Sequence, residues 1–485
     1  MTVEKSEASE GRRSSLLKYW LGAAVVIVTF AYCVPAGPSA DMWWHLSTGQ
    51  YILQNRTIPH SDPFSSTAFG KEWTTHEWLS EVVFYGVYKA AGSGGLLLLA
   101  TVVTTLAFLL AYWRSGGTEL GRVLALGLGV WASRATFLVR PQIFTFLLEA
   151  IFLWILWRTQ AREKRKMLVA LPVLMILWVN LHAGYMLGAG LVLLAAVGAV
   201  ADWIWKFEEG DAVRLRVCDL GIALVACLTV VVVNPNGARM YTYPFETLQS
   251  AAMQTGIFEW MSPNFHSPMF YPLAALIFLT VAGVALSKRR PRPSEILLFV
   301  VFGLAALRSM RNLTLFVLVA FPLLGEYAEI PGWKLPELRA GVRRVLQAAV
   351  LLLAAVIAAE VASNGFAADL QMERARFPEK AATFLAGYKL PTPLLNSYDF
   401  GGYLIWKLYP GYRVYIDGRA DLYGDEFLEK FIQLYDVQVD PRPRLNEAGI
   451  RTVMVEPGSA LASYLRTQSE WQRVYEDRVA VIFTR

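Results

Sequence analysis

Apolar runs of 15 to 22 residues recur along the first three quarters of the chain, and each reaches or approaches the ~20 residues that carry a helix across a bilayer core. They fall near 16–37, 93–113, 119–133, 141–157, 167–181, 185–205, 217–233, 270–287, 293–307, 312–327 and 345–363. Only 17% of the 485 residues are charged, against about 25% in a soluble globular protein. A single soluble domain is thereby excluded. The expectation is an α-helical polytopic membrane protein with about eleven transmembrane helices.

Charge sets the expected topology. With the N-terminus inside, the segments 1–15, 114–122, 158–166, 206–216, 288–292 and 328–344 hold 21 Lys and Arg in 66 residues, and the outer segments before the last span hold 8 in 108. Basic loops stay cytoplasmic, so the N-terminus is expected inside and the C-terminus outside. The net charge of +6 follows those inner loops and not a long basic tract, so no nucleic-acid partner is expected. Cys33, Cys218 and Cys227 lie within apolar runs and have neither disulfide-framework nor zinc-site spacing. A competing reading takes Arg12, Arg13, the following apolar stretch and Ala36–Ala40 as a signal peptide with its cleavage site. The stretch is long for that role, and the residues after it read as a functional loop mounted on its own helix.

All five histidines, His45, His60, His76, His182 and His266, fall on the expected outer side. Longer outer loops explain part of this. Arg134, Arg140, Arg239, Arg308 and Arg311 are more informative, because they lie outside against the charge bias, four of them at span edges. A cation beside hydrocarbon is costly unless it is paired or faces a cavity, and a guanidinium grips phosphate through two parallel hydrogen bonds. Snorkelling to the interface is the plainer account of any single one. Arg308 and Arg311 are the first choice as phosphate ligands, with Arg134 and Arg140 next.

The first outer loop, 38–91, contains Asp41-Met42-Trp43-Trp44-His45 and Trp73-Thr74-Thr75-His76-Glu77-Trp78, with Glu81 beyond. Two amphipathic helices, 41–54 and 75–90, are expected along the membrane surface. Asp41 and His45 are four residues apart and so share a helix face, which suits a general base with a partner or two ligands of a divalent metal ion. Asp41 also suits an N-cap. Trp43 and Trp44 beside it predict a carboxyl raised by desolvation. His76 and Glu77 diverge by ~100° on a helix and so would make a poor pair there, and they stand as candidates to line a pocket. Asn180 and His182, at a span end, either line a substrate pocket or cap two helices. Glu259, in the long loop 234–269, either meets an acceptor or belongs to an interfacial aromatic anchor.

An acid just beyond the first span, a long outer loop, many spans and an external C-terminal domain together resemble the GT-C superfamily of integral-membrane glycosyltransferases. The chain is similar to protein O-mannosyltransferases, the aminoarabinose transferases that modify lipid A, and the oligosaccharyltransferase catalytic subunit. The segment Asp41 to Glu81, Asn396-Ser397-Tyr398-Asp399-Phe400-Gly401-Gly402 and Ile416-Asp417-Gly418-Arg419-Ala420-Asp421-Leu422-Tyr423 resemble a group of bacterial membrane proteins in that superfamily. The resemblance implies a polyprenyl-phosphate sugar donor, a lipid, glycan or protein acceptor, and a site facing the periplasm or exterior of a bacterial inner membrane. By the same analogy Asp41 is the loop-one acid that deprotonates or positions the acceptor. The first loop has no Asp-Glu pair and no span is followed by a Trp-Trp-Asp block, which argues against an Asn sequon as acceptor.

From about 370 the composition shifts to 15 basic and 15 acidic residues in the last 116. A small extracytoplasmic α/β domain over 364–485 is expected, following the membrane domain 16–363 and the tail 1–15. Its strands are expected at 393–397, 413–416, 451–455 and 479–484, its helices at 377–387, 401–408, 425–435 and 458–467. Asp417, Arg419 and Asp421 follow a strand and either build a site or stabilise the loop by an ion pair. The domain is expected to roof the membrane site. Rival readings are a lipid-linked oligosaccharide ligase or polymerase, a lipid or glycan transporter, and a scaffold without activity. Against the transporter, the sequence shows no internal repeat, and its polar residues gather at one membrane face.

Overall fold

The computed structural model describes residues 22–35, 39–328 and 340–485. The expected tail 1–15, most of the basic loop 328–344 and part of the cleavage-site reading at 36–40 lie outside them. Helices cover the apolar runs: Gly22–Tyr32, the second half of Trp78–Arg114, Glu119–Ser133, Gln142–Arg158, Ala170–Leu181, Met186–Ile204, Gly210–Thr229, Tyr271–Leu286, Pro293–Arg308, Leu313–Tyr327 and Ala340–Arg376. Among the described residues, 5 segments are long and apolar enough to cross a membrane: Trp78–Arg114, Ala183–Ile204, Gly210–Val232, Pro268–Leu286 and Gln347–Ala367. Others are shorter, such as Ala170–Leu181 with 12 residues and Gln142–Arg158 with 17. Trp178, Phe108, Phe146, Phe152 and Phe316 are buried between these helices, while Leu286, Phe278 and Ile222 are turned outward. Large apolar side chains on the outside of an apolar bundle match a lipid surround.

Helix starts follow local chemistry. Pro293 opens its helix at a position where a missing N–H costs nothing, and the Glu295 carboxylate accepts from Arg292 N–H at 3.0 Å. Asp202 accepts from the Ser294 N–H at 2.9 Å and hydroxyl at 2.8 Å, which pins that start to the helix Met186–Ile204.

The first outer loop departs from expectation. Its first helix, Met42–Asn55, buries Met42, Trp43, Trp44, His45, Leu46, Ser47, Thr48, Gly49 and Ile52 in protein. It does not rest on lipid, because Trp78–Arg114 covers one side of it and Tyr398–Leu408 of the C-terminal domain another. Trp43 illustrates this, since its indole meets Tyr88, Phe377, Tyr403 and Trp406. The second helix begins at Trp78 and continues as far as Arg114, broken only at Gly92, whose φ of 61° and ψ of −160° suit a residue without Cβ.

The C-terminal domain holds a 4-stranded sheet ordered β1-β2-β4-β3, with β1 Leu394–Asn396, β2 Thr452–Val455, β3 Gln472–Glu476 and β4 Val481–Thr484. β1 and β2 run parallel, and the other two pairings are antiparallel. The expected strand 413–416 is not in the sheet. Its Val414 instead forms a parallel bridge with Ser65 of the first loop, with Ser66 N–H to Val414 O at 2.8 Å and the Thr67 hydroxyl to Tyr415 O at 2.5 Å. The domain is thus joined to the membrane part by backbone pairing. The last apolar helix carries the chain there without a break at 363, running on to Arg376.

Candidate active site

Asp41 stands at the N-cap position of Met42–Asn55, yet its side chain makes no capping bond. Its Oδ2 instead accepts from Arg140 Nη2. The same guanidinium reaches Glu259 Oε2 through Nη1 and Ser39 Oγ through Nε at 3.0 Å. Glu259 Oε1 lies 3.7 Å from Arg311 Nε, and Arg311 stacks over Trp260 at 4.5 Å. Asp41, Arg140, Glu259 and Arg311 therefore form a row of alternating charge, and the side chains are 15% to 29% exposed along it. Burial alone would lift the Glu259 carboxyl, and Arg140 and Arg311 hold it below the usual carboxylate range.

Four separate segments supply this row, Asp41 coming from the start of Met42–Asn55. Arg140 sits just before the helix opened by Pro141. Glu259 is carried on the turn Phe258–Trp260, which is tied to the turn Met310–Asn312 by Met310 N–H to Met261 O at 3.0 Å and the Ser309 hydroxyl to Glu259 O at 3.1 Å.

Asp41 and His45 do not form a dyad. The His45 imidazole is 2% exposed, stacks at 3.6 Å on Trp44, and points Nδ1 at Glu81 Oε1 (3.5 Å) and Glu77 Oε1 (3.8 Å). Helical spacing shares a face between two residues, but tertiary partners divide it here. Burial keeps His45 neutral down to about 4, against the pull of Glu77. His76 and Glu77 do pair, Nε2 to Oε2 at 3.6 Å, because Glu77 precedes the helix at φ −107° and ψ 29° and the ~100° helical divergence does not apply. Burial opposes the charge on Glu77, and His76, His45 and His182 bring it down to about 2. His76 is lifted despite burial, chiefly by Glu77 and then by Asp421. Among the described residues no three His, Cys, Asp or Glu gather as metal ligands, and the Asp41 and His45 side chains face different partners.

The remaining candidates divide. Asn180 bonds within the protein: Oδ1 accepts from Trp78 Nε1 at 2.7 Å, and Nδ2 donates to Ile176 O and Val233 O, both at 2.8 Å. Asn234 adds bonds to His76 O and Val179 O at 3.1 and 2.9 Å. His182 Nδ1 accepts from Gly184 N–H at 3.1 Å and meets the Thr145 hydroxyl at 2.8 Å, while Trp178 Nε1 donates to that hydroxyl at 2.9 Å. With Nδ1 accepting, the other ring nitrogen carries the proton. Burial lowers His182 to about 3, so it stays neutral. Arg134 Nη1 donates to Tyr32 O at 3.2 Å. Arg308 is exposed and makes no ion pair among the described residues; only its carbonyl is engaged, by the Ser262 hydroxyl at 3.2 Å.

Two features went unassigned in the sequence. Asp62, in the Ser61-Asp62-Pro63-Phe64 turn, accepts from Arg419 Nη1 at 2.7 Å, and Arg419 grips Asp417 with Nε and Nη2, each at 2.7 Å. The Tyr423 hydroxyl adds a fourth bond, to Asp417 at 2.7 Å. The Asp62, Asp417 and Arg419 side chains are 0% or 1% exposed, so this ion pair joins loop and domain rather than stabilising one loop. Glu81, also fully buried, leaves both carboxylate oxygens beside His45 without a hydrogen-bond partner among the described residues. An acid between Ser80 and two valines at the head of an apolar helix was the available signal for Glu81; Asp62 had only its turn sequence.

Solved structures of GT-C glycosyltransferases share this fold. The archaeal oligosaccharyltransferase AglB from Archaeoglobus fulgidus, solved with an inhibitory peptide and a dolichol-phosphate, matches at TM-score 0.55 and 12% identity over 90% of this chain and 69% of its own. The aminoarabinose transferase ArnT from Cupriavidus metallidurans, bound to undecaprenyl phosphate, matches at TM-score 0.53 and 14% identity, covering 97% of this chain and 98% of its own. The arabinofuranosyltransferase AftD from Mycobacteria gives TM-score 0.54 and 14% identity over 96% of this chain and 40% of its own. No protein-family profile matches the chain, and no curated protein matches it by sequence. Apolar helices and membrane-embedded neighbours together make this a membrane protein.

Proposed function

We propose that this protein is a glycosyltransferase that moves a sugar from a polyprenyl-phosphate donor to a hydroxyl acceptor at the outer face of a bacterial inner membrane. The observation that carries the reading is the row Asp41–Arg140–Glu259–Arg311 lying beneath the C-terminal domain. Asp41 takes the proton of the acceptor hydroxyl, the freed oxygen attacks the anomeric carbon, and the carbon–oxygen bond to phosphate breaks with its electron pair on the phosphate. Arg311 and Arg308 meet that growing negative charge. Arg140 is reassigned from phosphate ligand to partner of Asp41, since two carboxylates already occupy it. His45, His76 and Glu77 form the supporting wall, and His182 offers a neutral N–H donor toward the sugar.

Charge balance favours this donor over a diphosphate-linked oligosaccharide. Two carboxylates and three guanidiniums, Arg308 included, leave one positive charge, which matches the single negative charge of a phosphodiester. Orientation with the N-terminus inside and about eleven spans follows the basic-loop bias. The test is binding of undecaprenyl phosphate to purified wild type and to Arg308→Ala and Arg311→Ala. Losing a charged hydrogen bond weakens affinity by on the order of tenfold or more in each variant; unchanged affinity in both would remove them from the donor site.

A further inference from the structure

We infer that Gly418, carried by the C-terminal domain, is a positioning residue for the Asp41 carboxylate, so that the soluble domain completes the reaction centre and does more than select acceptors. The inference rests on the glycosyltransferase reading above. Asp41 uses Oδ2 on Arg140, and among the described residues no hydrogen bond engages Oδ1. That oxygen lies against residue 418, where a Cβ would overlap Oδ1 and come within 3.0 Å of Trp44 Nε1. The Trp44 indole N–H is itself buried without an acceptor among the described residues. Gly418 does not have a left-handed φ, so the absence of a side chain answers to space and not to backbone conformation.

The turn bearing Gly418 is fixed from both sides. Asp417 and Arg419 belong to the buried network that reaches Asp62, and the Tyr398 hydroxyl donates to Gly418 O at 3.2 Å. Gly401 and Gly402 allow the approach: a Cβ on Gly402 would lie 2.8 Å from Ala40 O, and one on Gly401 would overlap Ile416 O. Three glycines therefore let the domain backbone press against the residue before Asp41, the Ile416–Asp417 backbone and the carboxylate itself. Held this way, the carboxylate keeps one oxygen on Arg140 and presents the other to an acceptor hydroxyl.

The test is a pair of double-mutant comparisons with Gly418→Ala. In transfer assays Gly418→Ala lowers kcat by on the order of a hundredfold, the scale of a small misplacement of a reacting group, with undecaprenyl phosphate affinity unchanged. In an Asp41→Asn background it lowers the residual rate no further. In thermal melts Gly418→Ala lowers Tm when Asp41 is present, and much less in Asp41→Ala, where the new methyl group has room. Additive losses in both comparisons would overturn the proposal, as would a Gly418→Ala enzyme with wild-type kcat. Coupled melts in a protein that transfers no sugar would refute the glycosyltransferase reading while leaving the contact in place.

Discussion

Replacing Arg419 by methionine would leave Asp62 and Asp417 buried without their shared cation. Both carboxylates keep partial support: Asp62 accepts from the Phe64 and Ser65 N–H groups at 3.0 Å, and Asp417 from Tyr423 at 2.7 Å and from the backbone N–H of residue 419 at 3.0 Å. What is lost is three charged hydrogen bonds and the stacking of the guanidinium on Trp73 at 4.5 Å. Removing one partner of a buried ion pair costs about 3–5 kcal/mol, which for a domain of this size lowers Tm by roughly 10 °C. The effect falls on the junction between first loop and C-terminal domain, so hydrogen exchange speeds up at 62–67 and 414–416 before the membrane helices respond. Adding Asp417→Asn to Arg419→Met removes one stranded charge and restores part of the loss. A change in Tm within about 2 °C for Arg419→Met, or a double variant no better than the single, would refute the reasoning.

Glu259→Gln releases Arg140 and Arg311 from one carboxylate, so undecaprenyl phosphate binds about two- to fivefold tighter in a direct binding measurement, while turnover falls because Asp41 then faces the whole charge of Arg140. Asn180→Ala strands the Trp78 indole N–H and unpins Asn234, costing about 2–3 kcal/mol in unfolding; a variant of unchanged Tm with raised acceptor KM would instead place Asn180 in the sugar pocket. His45 and His182 are depressed to about 4 and 3 by burial, so between pH 6.5 and 4.5 the unfolded chain takes up protons that the folded one refuses. Stability then falls as pH drops, by up to about 1.4 kcal/mol per pH unit for each. His76 is lifted and adds stability that is complete below 6.5 and lost above it, and Glu77 begins to lose its contribution only below its ordinary value of 4.5. His45→Asn should flatten the fall of Tm between pH 6.5 and 4.5, and an unflattened profile would show that His45 is not the titrating group.

The helices were legible because an apolar run of membrane length has few other uses, and the starts at Gln142, Met186, Tyr271 and Leu313 lie close to the composition breaks. In the sheet, β1, β2 and β4 carry consecutive buried apolar residues and were readable. β3 was not, because Gln472–Glu476 is an edge strand with an exposed polar face. Arg413–Ile416 reads as a strand, but its partner is a loop some 350 positions earlier, which no local pattern records. Asp41, Arg140, Glu259 and Arg311 were each visible as polar residues at a membrane edge. Their pairing was not, since residues 99 and 119 positions apart are brought together only by the tertiary packing of helices and loop turns. Local spacing misassigned Asp41 to His45 for the same reason.

The most direct test of the central claim is sugar transfer in nanodiscs from polyprenyl-phosphate donors to mixed membrane acceptors, comparing wild type with Asp41→Asn at equal protein abundance. The account predicts transfer by wild type and a loss of on the order of a hundredfold or more in the variant, with donor binding retained. Equal transfer by both would contradict the assignment of Asp41, and no transfer by wild type beside an active control enzyme would contradict the glycosyltransferase reading itself.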